Sequence, residues 1–197
     1  MTTRTTSVVC FGVFLLPVNY YVATFCLYLG HWFSHLPWSP LRNHHVLSHH
    51  RLYPHSSDCL TTSFHMATGA HDSTKALLPW LLPPVALYGL MLPPVLAVVS
   101  TLELALATAV ITWIHVQFHL IASPLARWEW FLIARDRHAV HHDWDVNFAV
   151  ADHIWDRAFG SFVEAPTDLL SRRGRWARRR RTVGTLEEDR EREAKPC

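Results

Sequence analysis

The chain has 197 residues, enough for one domain, and half of them are hydrophobic. Its formal charge of +2 averages two unlike regions, because long apolar stretches fill the first two-thirds and most of the charge follows Arg127. That segregation excludes an ordinary soluble globule, which spreads Lys and Glu along every element, and it is what a bilayer imposes on a chain, since charge in hydrocarbon costs several kcal/mol.

Residues 7–30 carry no charge, and at roughly 1.5 Å per residue they can cross about 30 Å of hydrocarbon. The run exceeds the apolar core of a signal peptide and has no small-x-small cleavage site before His31, so a retained membrane helix is expected. A polar segment, 31–75, follows and holds nine of the fifteen histidines. Residues 76–114 are again apolar, interrupted only by Glu103. They are too many for one crossing, and Pro93-Pro94 predicts a hinge between two arms, 76–92 and 94–114. The first arm contains Pro79, Pro83 and Pro84, which predict a kinked or partly inserted helix. Glu103 is costly in a span unless it faces protein or water.

One crossing followed by a hairpin places the segment 31–75 and everything after His115 on the same side. The tail residues Arg172, Arg173, Arg175 and Arg178 to Arg181 mark that side as cytoplasmic. Ser123-Pro124 predicts a helix start, Ser as N-cap and Pro in the first turn, with the helix running through Trp128, Trp130, Phe131 and Ile133 to about His142. Its mixture of Trp and Arg suits the membrane–water interface. From 167 onward the chain is a basic block followed by Glu187 to Glu193, without a core-forming pattern. Two regions result: a membrane-embedded domain, 1–166, and a charged, mobile or solvated tail, 167–197. The basic run reads first as a topology signal, and it could also hold the face to anionic lipid.

The chemistry lies in the histidines. Cys10, Cys26, Cys59 and Cys197 show no paired spacing, so neither a disulfide framework nor a cysteine metal site is indicated. Four histidine groups stand at or beyond the ends of apolar helices. The first is HWFSH, with His31 and His35 at i and i+4, which share a helix face. The second is HHVLSHH, in which His45 and His49 are also i, i+4, with His50 beside them and His44 an alternative first member. The third, HVQFH, contains His115 and His119. The fourth, HAVHH, contains His138, His141 and His142. Any single pair is as easily surface or capping decoration. Four groups on one predicted side supply ten imidazoles, more than the four that a structural zinc takes, and point to two metal ions. Neutral imidazole suits Fe, Zn, Cu and Ni.

These groups resemble the histidine boxes of the fatty acid hydroxylase/sterol desaturase superfamily. Asn147-Phe148-Ala149 and Trp155-Asp156-Arg157-Ala158-Phe159-Gly160 resemble that family's Asn-Tyr/Phe-Gly and Trp-Asp-x-x-Phe-Gly signatures. The likeness covers roughly 31–162. Two departures stand out: three residues rather than two separate His45 from the pair His49-His50, and one span precedes the first box where larger members have more.

The apolar runs and the arginine tail together predict an all-α, integral-membrane helical bundle of about three membrane helices with a histidine-rich cap on the cytoplasmic side. The resemblance implies two non-haem iron ions held by His31, His35, His45, His49, His50, His115, His119, His138, His141 and His142. O2 would be co-substrate, an external electron donor the source of electrons, and a membrane lipid such as a fatty acyl chain or sterol the molecule hydroxylated or desaturated. Asp143, Asp145, Asp152 and Asp156 are candidates to orient ligating rings, and equally candidates for helix ends and loops. His153 reads as site lining or polar surface, and His55, His65 and His71 as loop residues.

Three competing readings have their own signatures. A histidine-rich metal transporter would carry ligands within its spans along a path. A zinc hydrolase would show a Glu between paired histidines, and none is present. An inactive family member is suggested by the altered second box.

Overall fold

The computed structural model describes residues 2–53, 59–61 and 78–165, with 2–14 as backbone only. His55, His65, His71, the first two residues of the 76–92 arm and the 167–197 tail with its arginine run lie outside the described residues. Every regular element among the described residues is helical. α1 (Thr2–His35) is a 34-residue helix that runs through Pro17 and contains the uncharged stretch 7–30. A short helical turn, Arg42–His44, continues directly into a π-helix, His45–His50. A 3-10 turn, Leu78–Leu81, leads into α2 (Leu82–Met91), and α3 (Pro94–Phe118) follows. α4 (Glu129–Asp143) and α5 (Ile154–Phe159) complete the chain.

The proline hinge forms where the sequence predicts it. Leu92 leaves the helix at ψ 149°, Pro93 is extended at φ −52° and ψ 145°, and α3 starts at Pro94, whose missing N–H is no loss in a first turn. The prolines before it divide the first arm into a 3-10 turn and a ten-residue helix. Among the described residues, α3 is the helix long and apolar enough to cross a membrane by length and composition, and Leu78–Met91 is a shorter apolar helix.

α1 and α3 pack along each other. Ala23 and Leu27 meet Leu104 and Ile111, with Val85 and Tyr88 of α2 closing the cluster. The outer face of α3 is also apolar: Val98, Leu102, Leu106 and Val110, each four residues on, are 47–64% exposed. A ridge of that kind on a soluble monomer would be an aggregation site, whereas in lipid it is the expected surface. Glu103 points the other way, into protein. It accepts from Asn19 Nδ2 at 2.6 Å, and Tyr88 donates to the same amide's oxygen. The carboxylate therefore has a partner on α1, which meets the requirement for an acidic group inside an apolar helix.

α4 departs from expectation at its start. Ser123 does accept a bond from Leu125 N–H, but the turn it caps, Pro124–Arg127, is 3-10 and ends at Trp128, which is extended at ψ 131°. The α-helix begins afresh at Glu129. Arg135 then ties α4 to the end of α3, donating to the carbonyls of Gln117 and Leu120 at 2.9 Å.

Candidate metal centre

All four histidine groups meet at one end of the α1–α3 pair. α1 presents His31 and His35 in its last turn, and the end is closed by the Arg42 guanidinium donating to the carbonyl of His35. α3 delivers His115 in its last turn, and His119 is its C-cap. The π-helix supplies His45, His49 and His50, and α4 supplies His138, His141 and His142. Eight of the ten are buried, with His49 and His119 at 0% exposure, while His50 and His142 are half-buried. His44 is exposed and outside the cluster.

The rings sort into two groups, each able to offer one nitrogen per residue within 4.8 Å of the others. Group A is His31, His35, His45, His50 and His141. Group B is His49, His115, His119 and His138. His142 belongs to neither group and lies between them, its Nε2 3.1 Å from that of His138, its ring 5.0 Å from those of His49 and His119 and stacked on His50 of group A at 4.2 Å. Within group A, His45 Nε2 lies 2.7 Å from His31 and 3.2 Å from His50. Within group B, His138 Nε2 lies 3.2 Å from His115 and 3.1 Å from His119.

The orientation of four rings is set from behind. The Nδ1 of His35 meets Asp145 at 2.7 Å, that of His119 the carbonyl of Cys59 at 2.8 Å, that of His141 the carbonyl of Val146 at 2.8 Å, and that of His31 the carbonyl of Phe148. A carbonyl or carboxylate accepts only, so each Nδ1 carries the hydrogen and each Nε2 keeps its lone pair facing inward. This is the tautomer and the outer-shell arrangement of a metal-ligating histidine.

The electrostatics agree. Burial, reinforced by the neighbouring imidazoles, holds His45, His49, His138, His141 and His142 well below the ordinary histidine pKa. Burial also lowers His50 and His119 to about 3, against opposing pulls from the backbone at His142 and the carbonyl of Cys59 respectively. These rings are neutral at physiological pH, the form that binds a metal. They are also incompletely satisfied: the buried Nε2 atoms of His35, His49 and His141 have no hydrogen-bond partner. Buried polar atoms rarely remain so. Two imidazoles on one ion at roughly 2.1 Å stand about 3.0 Å apart when cis, which is near the spacings seen here. The donor set therefore fits a pair of imidazole-ligated cations.

The signature after α4 is the scaffold for this. Asp156 is fully buried and accepts from the backbone N–H of Phe148 and Ala149, from Ser161 and from His153. Asn147 sits at φ +53° and bridges the backbone of Arg137 and Val163. Trp155 donates to Thr24 on α1, and Gly160 ends α5 in the left-handed conformation at φ +75°. Of the four aspartates singled out in the sequence, Asp145 orients a ring of the cluster. Asp156 holds the loop whose carbonyl orients His31, and Asp152 accepts from Tyr20 and from Ile154 N–H at the start of α5. His153 is buried against Asp156 and Phe162, outside both groups. The sequence did not reveal the acceptor carbonyls of Cys59, Val146 and Phe148. Nor did it reveal Tyr53, whose ring stacks on His119 at 4.0 Å. A cleft of about 630 Å³, lined by Trp32, Leu36, Phe148 and Phe159 with His35 and Asp145, opens against group A.

The family model for fatty acid hydroxylase matches residues 16–161, a stretch holding every element of the cluster. No curated protein and no solved structure matches the chain.

Proposed function

Because the chain belongs to the fatty acid hydroxylase family, we propose that it is a membrane oxidoreductase in which the ten imidazoles hold two iron ions and a lipid C–H bond is hydroxylated or desaturated. The observation that carries this reading is the pair of adjacent imidazole groups with inward lone pairs and unsatisfied buried nitrogens. When bound, the two irons together with O2 and electrons from an external donor supply the oxidising power to remove hydrogen from an unactivated C–H bond.

The chain's own part is to bind, orient and exclude water. Asp145 and the carbonyls of Cys59, Val146 and Phe148 fix four rings, so that little reorganisation accompanies loading. Phe148 packs its ring against His31, His35 and His141, and shields group A from water on that side. The apolar wall of the cleft offers an acyl or sterol body a place beside His35. The apolar outer face of α3 supports a site at the lipid boundary, reached laterally from the bilayer. In the topology we favour, α1 and the α2–α3 hairpin bring all four groups to one face, and the arginine-rich tail puts that face in the cytoplasm.

The test is anaerobic purification with metal analysis, joined to lipid profiling of cells expressing the wild type or His141→Ala. About two irons per chain, and an oxidised lipid lost in the variant, are expected. A single tightly held zinc with an unchanged lipid profile would end the proposal.

A further inference from the structure

We infer that the π turn over His45–His50 is a register device, which takes up one extra residue so that the second histidine group presents its three imidazoles in the pattern that the fourth achieves on a regular α-helix. This rests on the metal-binding reading above.

The two groups divide their rings alike. On α4, His138 belongs to group B with His142 beside it, and the middle ring, His141, crosses to group A. On the π turn, the outer rings His45 and His50 belong to group A, 3.2 Å apart, and the middle ring, His49, crosses to group B. The helices leading into them correspond as well. α1 ends in His31 and His35, both in group A, and α3 ends in His115 and His119, both in group B. Each group thus combines one HxxxH pair, the first ring of the box that follows it, and the middle ring of the opposite box; the third ring, His50, joins group A, while the corresponding His142 lies between His138 and His50.

The spacings differ, and helix geometry reconciles them. At about 100° per residue, the i, i+3, i+4 spacing of α4 places the second and third rings roughly 60° behind and 40° ahead of the first. The i, i+4, i+5 spacing of the second box would place them near 40° and 140° on the same helix, with the third ring turned away. Widening the hydrogen-bonded ring to i→i+5 cuts the advance to roughly 80° per residue, so four and five steps land about 40° to either side. The fan of three rings is restored. Ser48 is the residue best placed to be the spacer: it is exposed, and its hydroxyl donates to the carbonyl of Asn43, one π turn earlier, at 2.8 Å.

A chain shortened by one residue inside this box should therefore relax to an α-helix and keep its metal. The experiment uses the full chain, loaded with ferrous iron without oxygen, purified in detergent and assayed for iron per chain. Deletion of Ser48, or separately of Val46, is expected to leave iron at the wild-type level, about two per chain. Insertion of one alanine after Leu47, which neither helix type can align, should lower it at least twofold. Retention by either shortened chain supports the inference. Loss of iron or of folded protein in both deletions, with the wild type loaded, overturns it, as does an insertion that holds full iron. A wild type that takes up no iron fails the functional reading itself and carries this inference down with it.

Discussion

Group A and group B draw on one kind of side chain, but their surroundings differ. Group B is enclosed, with all four members buried, Tyr53 stacked on His119, and the 59–61 segment bonded along the end of α3. Group A lies at the flank. His35 lines the cleft, His50 is half-buried, and the carboxylate that orients His35 is 75% exposed. Identical ligand chemistry can thus be given two tasks by access alone. On the proposed function, the enclosed group would hold its ion and the flanking group would meet substrate.

Four experiments can break or sharpen that contrast. The largest effect should come from removing a ring. His49→Ala and His35→Ala should each cut lipid oxidation by more than ~100-fold, with iron lost from the group concerned. Equal iron content in either variant and the wild type would deny that ring its role. Acidification of the metal-free protein comes next. His50 and His119, one from each group, have folded pKa values of about 3 against 6.5 in the unfolded chain. Between those values the unfolded state binds more protons, so stability is present above about 6.5 and falls as pH drops toward 3, by about 1.4 kcal/mol per pH unit for each proton. Both groups should fail together in one thermal transition. A midpoint independent of pH between about 7.5 and 5 would count against the buried neutral rings. A smaller effect is expected from Leu36→Trp, which fills the cleft: oxidised lipid should fall roughly tenfold with iron unchanged. Undiminished product would remove the cleft from the substrate's route. Smallest should be Asp145→Asn, weakening iron at group A by about threefold and leaving group B alone, since the carboxylate is largely in water. An iron titration showing both groups weakened equally would contradict the separation.

The ten rings could be read from the sequence because HxxxH and HxxHH spacings on helices place them on one face, and because the groups fall at the ends of apolar runs. What orients them could not, since three of the four acceptors are backbone carbonyls and carry no residue signature. Asp156 was recognisable as part of a signature, yet its bonds go to the Phe148–Ala149 backbone, one step behind the rings. The extra residue in the second box was visible as a departure; its absorption by a change of helix type was not, because His45-Val46-Leu47-Ser48-His49 satisfies an α-helical face equally well. Ser123-Pro124 promised a continuous helix and made a 3-10 turn, because Trp128 adopts an extended conformation and restarts the chain. Glu103 was legible as an anomaly, and its partner Asn19, 84 residues away, only in three dimensions.

The crossing of His49 and His141 between the two groups bears on how the protein matures. A nascent chain made only as far as the second box has four of group A's rings, but lacks His141 and the Phe148 carbonyl behind His31. Group B at that stage consists of His49 alone. Group B is complete only at residue 138 and group A at residue 141, with the Phe148 carbonyl behind His31 later still. On the proposed function, loading of either site would therefore be a late step in biogenesis, and a product truncated before residue 138 would leave the ribosome without a finished centre.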